Sequence, residues 1–319
     1  MNAGGAENRG QAEHEPVLCE AVLSLVAPRP GEVVLDATVG HGGHAVLFAR
    51  AIGATGRLIG LDVDPASLSR AREQLSEAAE GADWPRVDLV RANFAAAGGV
   101  LDELGIDRVD VVLADLGVTT PQLLDPARGL TFAADGPLDM RLDERLPRTA
   151  ADLVNGLSES ELSDLLFFNS QERFSRRIAR RICESRRDGR IRTTSQLARI
   201  VCSAVRSAGH GGPERIHPAT RTFLALRMAV NRELENLQAL LEAAPRRLAP
   251  GGRLAVISFH SGEDRIVKQN LLEQTRAGVY DIATKKPVRP SSEEIRRNPR
   301  SRSAKLRVAR RTGAGDRAT

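Results

Sequence analysis

Val33-Val-Leu-Asp36-Ala-Thr-Val-Gly40-His-Gly-Gly-His44 is followed, after one helix-length segment, by Arg57-Leu-Ile-Gly-Leu-Asp62. An apolar run ends in Asp36, a glycine-dense turn spans Gly40 to Gly43, and a second apolar run stops at Asp62. The pattern predicts a strand, a tight loop, a helix and a second strand with an acid at its tip. Glycines let a backbone approach a ligand closely, and an acid about 20 residues further on can accept both hydroxyls of a ribose. The stretch therefore points to an adenosine-containing cofactor. Gly40-His-Gly-Gly-His-Ala45 also fits G-x-G-x-x-A, so a nicotinamide dinucleotide is a second candidate. A tight turn that needs glycine for its backbone angles would leave the same trace.

The same rhythm continues outward. Asp64-Pro65 is a cap and first position for a helix carrying Leu68, Ala71 and Leu75. Arg86–Arg91 and Val109–Asp115 read as further strands, with Phe94 just after the first of them. Continuously apolar strands alternating with helices predict a parallel α/β sheet covered on both faces. Val17–Val26 is an amphipathic stretch expected to pack on it. From about residue 141 to 212 only helical patterns appear: Ala151–Leu157, Ser160–Phe168, Gln171–Arg187 and Thr194–Ser207, the last capped by Thr194 or Ser195. One long helix is expected over Ala219–Leu248. Pro250-Gly-Gly252 then turns into the strand Arg253–Phe259, and 278–288 with 303–310 predict a closing antiparallel pair. The expected domains are a sheet domain of residues 14–140 and 216–311, an inserted helical domain of residues 141–215, and flexible tails at 1–13 and 312–319.

The 319 residues are 41% hydrophobic, without an apolar run long enough for a membrane span and without a secretory h-region near Met1, which predicts a cytoplasmic protein. Cys19, Cys183 and Cys202 are odd in number and widely spaced, as reduced packing residues are. The histidines show no ligand spacing, so no metal site is expected. The net charge of +5 is unevenly spread. Residues 285–311 hold eleven Lys or Arg against Glu293 and Glu294, and residues 173–192 hold nine arginines. Two such clusters are the electrostatic footprint of a nucleic-acid surface, although each alone could be a solvated face.

Ligands of open α/β sheets sit beyond the carboxyl ends of the strands. That rule gathers Gly40–His44, Asp62, Phe94, Asp115 and Ser258-Phe-His-Ser261. Asp62 is the candidate ribose acceptor, because Asp64 is the better helix cap. Phe94 is a candidate wall for adenine, Asp115 an acceptor for an amine, and Gln122 a partner for a cofactor or base edge. The Gly- and Pro-rich segment 125–141 is either a rigid connector or a functional loop.

Taken together, His14-Glu-Pro-Val-Leu18, Asp36–His44, Asp115-Leu-Gly-Val118 with Pro121-Gln-Leu123, Gly136-Pro-Leu-Asp-Met-Arg141, His217-Pro-Ala-Thr-Arg-Thr-Phe223, Ile257-Ser-Phe-His-Ser261 with Glu263-Asp-Arg265, and Asn298–Lys305 resemble the bacterial 16S ribosomal RNA cytosine-N4 methyltransferases. The blocks span about residues 14–311 in family order. The resemblance implies a Rossmann-like class I methyltransferase sheet, S-adenosyl-L-methionine as methyl donor, and a decoding-region cytosine of 16S rRNA in the small ribosomal subunit as acceptor. It implies cofactor contacts at Gly42, Gly43, His44, Asp62, Phe94, Asp115 and Gln122, with Asp115 the candidate catalytic residue. Three positions depart from the family pattern. Thr119-Thr120 replaces two serines, Asn169-Ser-Gln-Glu172 a more acidic stretch, and Gly262 a leucine. A nicotinamide oxidoreductase and a non-catalytic RNA-binding assembly factor are the competing readings at this level.

Overall fold

Seven strands form one sheet in the order β3-β2-β1-β4-β5-β7-β6. They are β1 (Val33–Asp36), β2 (Arg57–Asp62), β3 (Arg86–Arg91), β4 (Val109–Asp115), β5 (Leu248–Ser258), β6 (Tyr280–Ile282) and β7 (Lys305–Arg311). The computed structural model describes residues 16–206 and 217–313, so the expected tail at 1–13 and all but the first two residues of that at 312–319 lie outside the described residues. The first five strands run parallel, and β7 pairs antiparallel with both β5 and β6. The expected closing pair is therefore present, and it joins the sheet through β7. Val, Leu and Ile fill β1, β2 and β4 because both faces of these strands are covered, as central parallel strands require.

Helices alternate with the strands: α1 (Cys19–Val26), α2 (Gly43–Ile52), α3 (Pro65–Ala79) and α4 (Ala97–Glu103). Asp64 caps α3 by accepting from the Ala66 amide, with Pro65 at the first helical position. Val22 and Val26 of α1 join Phe48, Ile52, Val34 and Leu58 in the core of this layer.

A second run of helices follows: α5 (Thr120–Leu124), α6 (Ala150–Gly156), α7 (Glu159–Ser170), α8 (Ser175–Ser185), α9 (Thr194–Arg206), α10 (Ala219–Asn231) and α11 (Glu233–Arg247). Thr149 and Ser158 begin α6 and α7 with capping boxes. The capping oxygen of α9 is that of Thr193, which accepts from Gln196 N, one residue before the expected Thr194 and two before Ser195. Beyond β5 come α12 (Ser261–Arg276) and α13 (Ser292–Arg297).

The chain divides into two compact units, one of residues up to Leu116 and from Ala243 onward, the other Gly117–Glu242. The sequence reading places the helical insertion at 141–215, and packing widens it at both ends. Leu130, Leu138 and Met140 from the preceding loop, and Phe223, Leu226 and Val230 from α10, belong to the core of the helical unit. Segment 125–141 is woven into that unit. A Cβ on Gly129 would meet the Pro137 carbonyl oxygen at 2.0 Å, and one on Gly136 the Pro126 oxygen at 2.0 Å. Only glycine lets these two stretches of backbone cross.

The expected single helix over 219–248 is broken. Arg232 takes the left-handed conformation at φ 52°, ending α10. Asn231 donates to the carbonyls of Met140 and Arg227 and accepts from the Leu142 amide at 2.8 Å, while Arg227 makes a two-pronged pair with Glu233. These polar contacts stabilise the break without a Gly or Pro to signal it.

In the sheet unit, Arg253 is buried at the start of β5's regular pairing. It donates to the carbonyls of Val26 and Ala27 and forms a two-pronged pair with Glu32 at 2.8 and 2.6 Å. This holds the α1–β1 connection against the sheet. Removing one partner of such a pair strands the other charge. Glu32→Ala is expected to lower unfolding free energy by about 3 kcal/mol in denaturant titration. A loss under half that size would mean water solvates Arg253 in the variant.

Candidate active site at the carboxyl ends of the strands

The β1 tip is tied to both neighbours. Ala37 N donates to Leu113 O on β4, and Val39 N donates to Leu61 O on β2, each at 2.8 Å. The Asp115 amide donates to Thr38 Oγ1 at 2.6 Å. Asp36, Asp62 and Asp115 therefore end three adjacent strands in one neighbourhood. Ser258 ends β5 beside them, and there His260 caps α12 by accepting from the Gly262 and Glu263 amides through Nδ1. Glu263 is buried and accepts from Phe259 N at 2.8 Å and His260 N at 3.3 Å. The Ser-Phe-His-Ser turn is thus a reciprocal helix cap that brings a fourth carboxyl inward. Gly262 sits buried in the first turn of that helix.

The glycine loop divides its work. Gly40 has φ 51° and donates its amide to Asp62 Oδ2 at 3.1 Å. Gly42 has φ 94°, and a Cβ there would stand 3.1 Å from Ala71 Cα, so α3 occupies the space beside it. A Cβ on Gly43 would press on the Pro16 ring at 3.3 Å. At Gly42, then, the positive φ and the backbone of α3 favour glycine, and at Gly43 a side chain would need the Pro16 ring to yield by a few tenths of an ångström. Asp62 also accepts from Asp64 N at 2.8 Å, so its carboxylate braces the loop as well as facing the strand tip. Phe94, half-buried, opens a 3₁₀ turn capped by Asn93 and follows Ala92, whose amide bonds to Asp62 O.

His44 lies buried in the first turn of α2, with Nε2 3.8 Å from Asp115 Oδ2. Burial pushes its imidazole down to about 4, against a backbone hydrogen bond with Val17, so it is uncharged at neutral pH. It cannot offset the acids. Burial raises Asp115 well above the ordinary carboxylate range, and the charges of Asp36 and Glu263 raise it further. Asp36 is pushed up to about 7 by burial, with Asp62 adding to the shift, and Asp62 to about 6, chiefly by burial. Seven side-chain polar atoms of the described residues are buried without a hydrogen-bond partner, and two of them, His44 Nε2 and Asp115 Oδ1, lie together here. Buried polar atoms are normally satisfied, so both point to something that completes them.

Gln122 belongs to the helical unit. It is buried in α5, where Thr119 and Gln122 form a capping box, Gln122 Oε1 accepting from Thr119 N at 3.0 Å. The hydroxyl kept at Thr119 serves that box. Glu263 is the site residue that residue-by-residue reading missed; its signal was the acid three residues after His260, the capping-box spacing.

A sheet of order 3-2-1-4-5-7-6 with a glycine loop after β1 and acids at the tips of β1, β2 and β4 defines a Rossmann-like methyltransferase architecture. The sequence model of the MraW methylase family matches residues 11–312, and the chain belongs to that family. It is 48% identical over 303 residues to the ribosomal RNA small subunit methyltransferase H of Koribacter versatilis, covering 94% of this chain and 95% of that protein. The protein of the same name from Sorangium cellulosum is 48% identical over 308 residues, covering 97% and 93%. That from Cyanothece sp. is 49% identical over 301 residues, covering 94% and 95%. The nicotinamide oxidoreductase reading falls with this assignment.

The raised carboxyls set the sign of a pH effect. In the folded chain Asp36 holds its proton to about 7 and Asp62 to about 6, whereas unfolded they release it near 3.8. Their contribution to stability is complete below about pH 4 and is lost as pH rises through 6 to 7. Asp36→Asn, which keeps an acceptor for the Thr38 amide, is expected to raise the melting temperature of the ligand-free protein at pH 7.5 and flatten its fall between pH 4 and 7. An unchanged slope in melting scans would show that Asp36 ionises normally.

Proposed function

We propose that this enzyme transfers the methyl group of S-adenosyl-L-methionine to the exocyclic N4 amine of a decoding-region cytosine in 16S rRNA, acting on the small ribosomal subunit in the cytoplasm. The observation that carries the reading is the set of carboxyls Asp36, Asp62, Asp115 and Glu263 closing on the glycine loop, with Asp115 Oδ1 unsatisfied. Such a cluster favours a ligand with a sulfonium and an ammonium over the pyrophosphate of a dinucleotide. A bound cation also lowers the proton affinity of the carboxyls, so their cost in the free protein becomes affinity in the complex.

The residues present fit that cofactor. Asp62 supplies carboxylate oxygens at the β2 tip for a ribose diol, Phe94 an apolar wall for adenine, and the 40–44 loop backbone a close approach. His44 Nε2 and Asp115 Oδ1 supply the unsatisfied polar atoms. When bound, the cofactor supplies an electrophilic methyl group.

Cytosine N4 is a weak nucleophile because its lone pair is delocalised into the ring. An acceptor held against the amine localises that pair and stabilises positive charge as it develops. Asp115 is the acceptor suited to this role. Its environment gives it a proton affinity far above that of an ordinary aspartate, so once ionised it can take the proton the amine loses. A base within structured RNA must be swung out to reach such a site. The basic segment 285–311, with Arg297, Arg300 and Arg302 around the 3₁₀ turn Pro299–Ser303, supplies phosphate-binding charge to hold the RNA meanwhile.

Incubation of small ribosomal subunits with methyl-labelled S-adenosylmethionine, followed by nucleoside analysis, is expected to yield N4-methylcytidine. Label in another nucleoside, or none while the cofactor binds, would overturn the reading. Asp62→Ala is expected to weaken cofactor binding about 10- to 100-fold in calorimetry, the worth of a charge-assisted hydrogen bond. Near-normal binding by a folded variant would remove Asp62 from the ribose.

A further inference from the structure

The helical unit carries a surface feature that the cofactor site does not use. The whole chain has eight Phe, one Tyr and one Trp, yet Phe167 and Phe168 stand 51% and 67% exposed in the last turns of α7. Their rings meet edge to face, with centroids 5.5 Å apart. The buried side of α7 is filled by Leu162, Ser163 and Leu166, so helical periodicity turns the two phenylalanines outward. Exposing two adjacent aromatics sacrifices apolar burial, and contiguous patches of this kind mark interaction sites.

The platform is rigid where it is exposed. Asn169 Nδ2 donates to Ala225 O, Ser170 Oγ donates to Leu166 O, and Gln171 closes the helix in the left-handed conformation with its amide on Phe167 O. The Asn169-Ser170 departure from the family pattern thus becomes a pair of anchors beneath the rings.

The charge beside the pair selects the occupant. Phe168 is five residues from Arg173, a span of at most about 18 Å of extended chain, and α8 follows packed on α7. Arg173, Arg176, Arg177, Arg180 and Arg181 are all exposed, while Ile178, Ala179 and Ile182 face the core. Among the acids here, Glu172 is buried and accepts from the Phe174 amide, Glu159 pairs with Arg180 and Glu184 with Arg181, which puts Arg173 and Arg176 first among the phosphate contacts. A second copy of the chain using this patch against itself would set these arginines against their own duplicates. An unpaired nucleotide offers the opposite: a flat base for the rings and phosphates for the guanidinium groups.

We propose that Phe167 and Phe168 form a stacking platform for an unpaired base of the RNA substrate, with the arginines of α8 holding the flanking phosphates. The inference rests on the RNA methyltransferase reading above and names a contact that reading lacks. Aromatic stacking carries no counterion release, whereas phosphate contacts do, so the two parts separate experimentally.

The test compares the full-length protein, Phe167→Ala/Phe168→Ala, Phe167→Leu/Phe168→Leu, Phe167→Trp/Phe168→Trp and Arg173→Ala/Arg176→Ala, on small ribosomal subunits lacking the modification. Loss of stacking is expected to weaken binding and raise KM about 5- to 150-fold in both the Ala and Leu variants. Cofactor affinity, kcat at saturating subunits and the salt slope are expected to hold. The Trp variant is expected to bind as wild type, and the arginine variant to show a salt slope shallower by about one per phosphate contact removed.

Affinity within twofold of wild type for the Ala variant would overturn the platform while leaving the methyltransferase reading intact. Equal rescue by Leu would show an apolar contact without stacking and would overturn it too, as would a fall in oligomer mass by light scattering with RNA affinity unchanged. Failure of the wild-type protein itself to bind or methylate the subunits would remove both readings together.

Discussion

Parallel alignment of β1, β2 and β4 forces three aspartates to end side by side, and the α12 cap adds a fourth carboxyl from β5's end. Burial at this sheet edge, with repulsion from neighbouring acids adding to it, is why Asp36, Asp62 and Asp115 all hold protons more tightly than an isolated aspartate does. The rest of the unit works to keep them there. Thr38 fastens the β1 tip to β4, Gly40 leans on Asp62, and Glu263 secures the turn after β5. A site assembled against its own repulsion is one organised for a cation.

The neutrality of His44 fits this constraint. A protonated imidazole 3.8 Å from Asp115 would relieve the repulsion and leave less attraction for a ligand. Burial keeps it uncharged, so the acids stay uncompensated. The same logic separates the two halves of the chemistry: the sheet unit concentrates negative charge for a small cation, and the exposed arginines of α8 and of residues 296–302 concentrate positive charge for a polyanion.

Much of this was legible from local pattern. Strands of continuous Val, Leu and Ile have one stable environment, Asp64-Pro65 states a helix start, and the strand-end rule gathers Asp62, Phe94 and Asp115 without knowledge of coordinates. What escaped depended on contacts distant in sequence. Nothing around Asn231 announces a helix end, because the residues that stabilise it are Met140 and Leu142, about ninety positions away. The edges of the helical unit were misplaced for the same reason: loop residues such as Leu138 and Met140 enter its core through tertiary packing rather than through periodicity. Gly42 fits a ligand-binding motif, while its missing Cβ is favoured by Ala71 on α3. A glycine motif records that space is needed and leaves open on which side.

The place of β7 between β5 and β6 bears on how the chain is made. β5 is complete once Ser258 is added, but it lacks its antiparallel partner until Arg311 is, 53 residues later. At about 5–20 residues per second that interval is roughly 3–11 s. During it, β5 is the bare edge of a five-stranded parallel array, rich in Ala-Val-Ile and open to mispairing with other chains. Lys305, Arg307, Arg310 and Arg311 of β7 arrive last, so the strand that ends this exposure also brings charge to the edge it covers.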